Sequence, residues 1–276
     1  MFTIEAFLDA LTLEPAGQDR YRAVNLESDH HVVFGGQLLA QSIVAALADQ
    51  DGKTVKTIHT VFARGGSPDA PLDIAVDRMH SGRSVASSTV TITQNDQIVT
   101  RSLVLLSAEE DDVIRHADPR RSDSTPGDVA SLVRSSGAWE IGIVGGVDLA
   151  DPESVGPPEL NVWIRFAGAP DDERIDQALV AYSTDGFLIG TAMRPHAGVG
   201  QAQAHRTLST GVLSHTLTFH ERCPAGQWHL LEQWSSYAGH GRSYGRGDIF
   251  REDGRLAASF VQDAMIRARS GGAGRL

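Results

Sequence analysis

Two stretches decide the fold: Ser81–Ser107, "SGRSVASSTVTITQNDQIVTRSLVLLS", and His240–Ile266, "HGRSYGRGDIFREDGRLAASFVQDAMI". The second contains Gly241-Arg242-Ser243-Tyr244-Gly245, which fits the G-x-S-x-G turn that exposes a nucleophilic serine. Such a turn needs a strand before it and a helix after it. The residues after Ser243 instead read as a run of strand length, then Asp253-Gly254, then a second such run, the pattern of a β-hairpin. The first stretch repeats this layout: Gly82-Arg83-Ser84 stands for Gly241-Arg242-Ser243 at an offset of 159 residues, and Asn95-Asp96 stands for Asp253-Gly254. It also carries Ala86 where the serine turn would need glycine. Ser243 is therefore expected inside a repeated hairpin rather than at a nucleophile's turn.

A second match supports the duplication. "IHTVFARGGSP" from Ile58 resembles "SHTLTFHERCP" from Ser214, with His59-Thr60 aligned on His215-Thr216. Each copy reads as a helix followed by strands. In the first, "GGQLLAQSIVAALADQ" from Gly35 has its apolar residues near helical spacing, and strands are expected at about 54–64, 72–80, 83–94 and 97–107. In the second, "LNVWIRFAG" is a strand, 171–182 and 185–193 are helical, and strands recur at about 207–220, 227–238, 242–251 and 255–267. A strongly apolar helix beside a meander of long antiparallel strands implies a sheet wrapped around a helix. The expected divisions are an N-terminal domain at 1–108, a linker at 109–159 and a C-terminal domain at 160–276. The linker is rich in Asp, Ser, Pro and Gly, with a short helix near Asp128–Arg134.

The 276 residues suffice for one large domain or two of about 130. Hydrophobic residues make up 41% and charged residues 21%, the balance of a globular chain that works in water. No apolar run approaches the roughly 20 residues that span a bilayer. The opening "MFTIEAFLDALTLEP" has the pattern of an amphipathic helix, with Ile4, Phe7, Leu8 and Leu11 on one face, rather than of a secretion signal, so a cytoplasmic location is expected. Cys223 is the one cysteine, expected as a buried thiol, which excludes an internal disulfide and a cysteine-rich metal site. His215 and His220, five residues apart on one strand, fall on opposite faces, and no metal site is assigned. The net charge of −11 argues against a nucleic-acid binder, though a small polyanion can still be held where arginines cluster.

Three segments, "VFGGQLLAQSIVAA", "VWIRFAGAPDDERIDQALVAYSTDGFL" and "DGRLAASFVQDAMIR", together resemble the acyl-CoA thioesterase II family, from about residue 15 to 268. The resemblance implies an α+β double hotdog fold, two repeats of a long helix wrapped by an antiparallel sheet. It also implies hydrolysis of acyl-CoA to fatty acid and coenzyme A by an activated water, with no cofactor and no covalent intermediate, in a homo-oligomer. Carried over by position, the water-holding aspartate is Asp185 and the glutamine is Gln262. The family's hydroxyl residue falls three before the histidine of "SHTLTFH", where this chain has Val212, which has threonine's shape and no hydrogen bond to offer. By alternation along a strand, Thr210 or Ser214 is the better substitute for that hydroxyl, ahead of Ser209.

Each residue also has a plainer use. Asp185 precedes "GFLIGTAM", where aspartate commonly caps a helix N-terminus, and Gln262 fits a solvent-facing strand position. Gly35-Gly36-Gln37 matches the tripeptide of peptidyl-tRNA ester hydrolysis, but an acidic chain offers no basic surface for RNA. The competing reading gives Gly36 a backbone N–H for an oxyanion at a helix start, beside a merely flexible helix entry. Arg64, Arg83, Arg242 and Arg246 suit coenzyme A phosphates or, more commonly, solvent; Arg246-Gly247-Asp248 is incidental to the strand. Three further functions fit in part: an acyl-CoA binder without turnover, for which Val212 argues; a serine hydrolase using Ser243; and an enoyl-CoA hydratase, whose Gly-Asp-x-Asn-Pro-x-His-like segment is absent from the sequence.

Overall fold

Helices that bury almost every side chain must be covered on all sides, and here one thirteen-stranded antiparallel sheet does most of the covering. The computed structural model describes residues 3–27 and 31–269. A short helix α1 (Ile4–Leu11) leads into β1 (Glu14–Gly17) and β2 (Arg20–Ala23), the central helix α2 (Gly35–Leu47), and strands β3 (Thr54–Phe62), β4 (Leu72–Ser81), β5 (Val85–Gln94) and β6 (Gln97–Ser107). Next come β7 (Arg134–Ser136), β8 (Trp139–Ile143) and β9 (Glu159–Phe166), then helices α3 (Glu173–Thr184) and α4 (Leu188–Met193). The chain closes with β10 (Leu208–Phe219), β11 (His229–Gly239), β12 (Arg242–Arg251) and β13 (Leu256–Ala268).

Strand order across the sheet is β1-β2-β4-β5-β6-β3-β10-β13-β12-β11-β9-β8-β7. β3 and β10 meet at the centre, with His215 opposite Thr60 and Leu217 opposite Ile58. The apolar core lies between the sheet and α1, α2 and α3, and includes Leu39, Ile43, Ile58, Val90, Leu179 and Phe260. The Asn95-Asp96 turn forms as read, joining β5 to β6 with φ of 52° and 59°, and a further two-residue turn, His240-Gly241, joins β11 to β12 with φ of 53° and 72°. At the Asp253-Gly254 corner only Gly254 is left-handed, at φ 82°, because the loop is longer and the Arg251 N–H closes it onto the Arg255 carbonyl.

Three sequence readings change. The segment 109–159, expected as a surface linker, supplies β7 and β8, which extend the sheet beyond β9. It is also pinned to the outer face: the Glu232 carboxylate accepts from the Ser122 N–H at 2.6 Å, and the Trp163 indole N–H donates to Ser124 Oγ at 3.1 Å. Val129 closes a small outer cluster with Trp163, Leu230 and Phe250, and the helical turn expected at 128–134 is a 3₁₀ turn at Pro126–Val129. Finally, the alignment of His59 on His215 breaks the two-residue period of a strand. His59 shares the outer face with Thr216, to which its Nδ1 bonds at 2.8 Å, whereas His215 is fully buried on the helix side.

α2 starts without a side-chain cap on its N-cap residue, Phe34. Two glycines there let it press against the end of α3. A Cβ on Gly36 would lie 2.3 Å from the Tyr182 carbonyl oxygen, and one on Gly35 2.6 Å from Asp185 Oδ2. We expect Gly36→Ala to lower stability by about 1–3 kcal/mol, the cost of overpacking a rigid contact. Gly211→Ala, where a Cβ meets nothing within 4 Å, should change it little; denaturant midpoints at constant slope would show the difference.

Candidate active site

The contact between α2 and α3 creates the site. Asp172 caps the start of α3, accepting from the Arg174 N–H at 2.9 Å, and the helix runs to Thr184 with Asp185 as its C-cap. Asp185 is thus not the N-cap of the following helix, a position held by Phe187. Its carboxylate turns inward against the N-terminus of α2 and is 8% exposed. Burial raises its pKa to about 7, while a hydrogen bond from the Gly36 backbone N–H and another from Gln262 pull it partly back. The α2 dipole also favours a negative charge at this point.

Gln262 reaches Asp185 from β13. It is 1% exposed, its Nε2–H donates to Asp185 Oδ1 at 2.7 Å, and its Oε1 is buried without a protein partner. Gly245 faces it across β12, and the space a Cβ would take there is filled by Leu188. Beside Asp185 lies an aromatic cluster. Tyr182 packs edge-on against Phe34 and Trp139 at ring separations of 4.8 and 5.3 Å, and Trp139 lies 6.1 Å from Phe187. Trp139 comes from the segment expected as a linker, and sequence reading did not place it at the site. Burial raises the Tyr182 phenol well above its ordinary value, so it stays neutral.

The structure brings Asp185, Gln262 and Gly36 together and sorts the other candidates by face. A bulge at Leu213 in β10 resets the alternation. Val212, opposite Ala264, therefore shares the inner face with His215, opposite Gln262, although the two are three residues apart. Ser214 is turned to the outer face, where its hydroxyl donates to Asp263 at 3.2 Å; the simple alternation that favoured it does not survive the bulge. Thr210 keeps the inner face but pairs with Ile266, four residues along β13 from Gln262, about 13 Å at strand spacing. Ser243 lies within the sheet, paired with Ala264 and Ala238, and is followed among the described residues by strand and no helix. The Gln37 amide is committed to a neighbouring loop: its Oε1 accepts from the Leu26 N–H at 3.0 Å and its Nε2–H donates to Asn25 at 2.8 Å.

The arginines scatter. Arg64, bonded to Gln97, follows Phe62, whose ring borders Gly35. Arg242, paired with Met265, lies on the exposed face of β12, opposite the buried face on which Gly245 meets Gln262. Arg83 lies between β4 and β5, at the opposite end of the sheet, where Val85 pairs with Ser107. Arg246 is exposed over the Trp234 ring at 4.6 Å. A surface groove of about 1980 Å³ lies near the far ends of α2 and α3 and includes neither Asp185 nor Gln262. Arginines in it are engaged by carboxylates, Arg222 with Asp171 and Arg115 with Asp112 and Glu221, and Lys56 donates to the Phe219 carbonyl, so the buried carboxylate–amide pair is the better candidate for chemistry.

Fold and site together define a hotdog-type protein with a buried carboxylate–amide centre where two helix ends meet. The family's "Acyl-CoA thioesterase N-terminal domain" matches residues 26–107 and its "Acyl-CoA thioesterase C-terminal domain" matches residues 111–266. The chain belongs to this acyl-CoA thioesterase family. It is 25% identical to human acyl-coenzyme A thioesterase 8, over 94% of this chain and 88% of that protein. The solved structure of an acyl-CoA thioesterase II, TesB2, from Mycobacterium marinum superposes with a TM-score of 0.80 at 26% identity, covering 98% of this chain and all of that one. A hot dog fold protein from Alicyclobacillus acidocaldarius shares the architecture, with a TM-score of 0.77 at 18% identity over 96% and 98% of the two chains.

The raised carboxylate has a consequence for stability. Between the ordinary carboxylate value and about 7 the folded state holds a proton that the unfolded state releases, so this group's contribution falls as pH rises through that window. Asp185→Asn removes the dependence. The variant should gain stability over the wild type as pH climbs from 4 to 8, by at most roughly 4 kcal/mol, as measured by thermal melts across that range.

Proposed function

We propose that the chain hydrolyses acyl-CoA thioesters to the free acid and coenzyme A, with a water activated by Asp185 and oriented by Gln262. The observation that carries this reading is the buried Asp185 carboxylate, raised to about 7 and held at 2.7 Å by the Gln262 amide, in a chain whose two halves both match the family. A base with such a proton affinity accepts a proton near neutral pH and can return it. Asp185 takes one hydrogen from the water as its oxygen bonds to the thioester carbonyl carbon, and Gln262 Oε1 accepts the other. The tetrahedral adduct then expels the thiolate, which takes the proton from Asp185, so no acyl-enzyme forms and no cofactor is required. The Gly36 N–H bonds to Asp185 in this structure; as an oxyanion donor it exchanges that bond for one to the substrate carbonyl.

The finer organisation belongs to the same proposal. The mirrored strand order about β3 and β10 and the 159-residue offset of the hairpins support a duplicated hotdog, with domains at about 1–108 and 160–276 and the segment 109–159 attached to the second. The aromatic cluster around Trp139 and Tyr182 supplies an apolar wall for an acyl chain, and Arg64 is the arginine at the Asp185 end for coenzyme A phosphates; Arg83 lies at the other end of the strands, and Arg242 and Arg246 share the exposed face of β12. A cytoplasmic homo-oligomer is the expected state. No described helix is long and apolar enough to cross a membrane.

Release of free coenzyme A thiol from a panel of short to long acyl-CoAs tests the reading. Turnover should collapse by about a hundredfold or more in Asp185→Asn, the scale of losing a general base, and stay at wild-type level in Ser243→Ala. Equal rates in wild type and Asp185→Asn would discard it, and no turnover by the wild type would make the chain an acyl-CoA binder. Val212→Thr returns a hydroxyl to the inner face beside His215 and should raise kcat roughly fivefold, the worth of one net hydrogen bond; an unchanged kcat would show that the water is held without it.

A further inference from the structure

His215 takes no part in the hydrolytic steps, yet it is fully buried behind Gln262. Proton counting gives it a task. The Thr184 hydroxyl spends its one hydrogen on the Ala181 carbonyl at 2.7 Å. His215 Nε2, 2.9 Å from that hydroxyl, must then be the donor between them. A neutral imidazole with its hydrogen on Nε2 presents only a lone pair at Nδ1. Burial pushes the His215 pKa down to about 3, so the ring stays neutral. Nδ1 faces Gln262 Nε2 at 3.5 Å, and the second hydrogen of that same amide goes to Asp185 Oδ1 at 2.7 Å. Turned over, the amide would set its carbonyl oxygen against both the carboxylate and the imidazole lone pair. Stacking on Phe260, with ring centroids 5.8 Å apart and an interplanar angle of 15°, restrains the imidazole plane.

We propose that His215, oriented by Thr184, is a positioning residue that locks the Gln262 amide with its nitrogen on Asp185 and its carbonyl oxygen free to accept from the attacking water. The inference rests on the proposed roles of Asp185 and Gln262 in hydrolysis. It explains why Gln262 Oε1 is buried without a protein partner: both amide hydrogens are spent, and the oxygen alone remains for a ligand. The groups that face Asp185 are Tyr182 on α3, the Gly36 N–H on α2, Gln262 on β13 and, behind it, His215 on β10. His59 on β3 acts on His215 from the outer face. Burial keeps both Tyr182 and His215 neutral between pH 5 and 9, so the acid limb of the rate profile follows Asp185.

The test is the pH dependence of kcat and KM for the acyl-CoA turned over fastest in the panel, with wild type, His215→Phe, His215→Asn, Thr184→Val, Thr184→Ser and His59→Asn. His215→Phe keeps the shape and the stack but frees the amide to turn its oxygen onto Asp185, an arrangement that favours the protonated carboxyl. We expect kcat to fall about tenfold, KM to stay within about twofold, and the acid limb to move up by about one pH unit. Thr184→Val should move the limb the same way by less, and Thr184→Ser should leave it in place. His215→Asn, which places an amide oxygen where Nδ1 was, should recover most of the rate and the limb, and His59→Asn should leave both near wild type. A His215→Phe enzyme that is slow with an unmoved limb, or a His215→Asn enzyme as impaired as His215→Phe, would reduce His215 to a space-filling role and overturn the inference. The underlying reading fails separately, by an Asp185→Asn enzyme as fast as wild type, and takes this inference with it.

Discussion

The structure depends on one steric constraint: the N-terminus of α2 and the C-terminus of α3 approach so closely that a Cβ on Gly36 would run into the α3 backbone and one on Gly35 would displace the Asp185 carboxylate. Gly36 lies against the Tyr182 carbonyl and Gly35 against Asp185. A side chain at Gly36 pushes the two helices apart, and with them the two halves of the core. The same approach brings a backbone N–H onto the Asp185 carboxylate. Packing and the proposed chemistry thus share one contact, and a glycine pair that reads as a weak helix start is what lets the helices meet.

Two opposed effects set the state of that carboxylate. Burial favours the neutral form, and donors from Gly36 and Gln262 favour the anion. Burial wins by a margin that leaves the group near neutrality, where it can both take and return a proton. For the proposed role a fully solvated aspartate would be too weak a base, and one buried without donors would hold its proton. The site therefore costs the fold some stability at neutral pH, as buried ionisable groups at functional sites commonly do.

The sheet organises everything else by face. On the inner side, residues paired across neighbouring strands form a row, Gln262 opposite His215 and His215 opposite Thr60, and Thr60 bonds on to Ser102 at 2.7 Å. On the outer side the segment 109–159 is held by the Glu232 carboxylate and by tryptophans, with the Arg121 guanidinium over the Trp234 ring at 4.7 Å. The strand β8 at the end of that segment returns Trp139 to the aromatic cluster beside Asp185, so a segment of linker composition contributes directly to the wall of the site.

Local pattern determined the elements. Hairpin turns, two-residue alternation and helical apolar spacing placed the helices and most strands, and showed that Ser243 lies within a strand, because these signals come from residues near one another in the chain. Resemblance supplied Asp185 and Gln262 as a pair, 77 residues apart, which no local pattern joins. Only the tertiary structure decided which face each side chain takes. One extra residue at the β10 bulge sends Ser214 outward and keeps Val212 beside His215, and an alignment offset even by one residue puts His59 on the wrong side of the sheet. The tertiary structure likewise decided the proton affinity of Asp185 and the direction of the Thr184–His215–Gln262 bonds, because burial and hydrogen-bond direction are properties of an assembled interior and leave no trace in the order of residues along the chain.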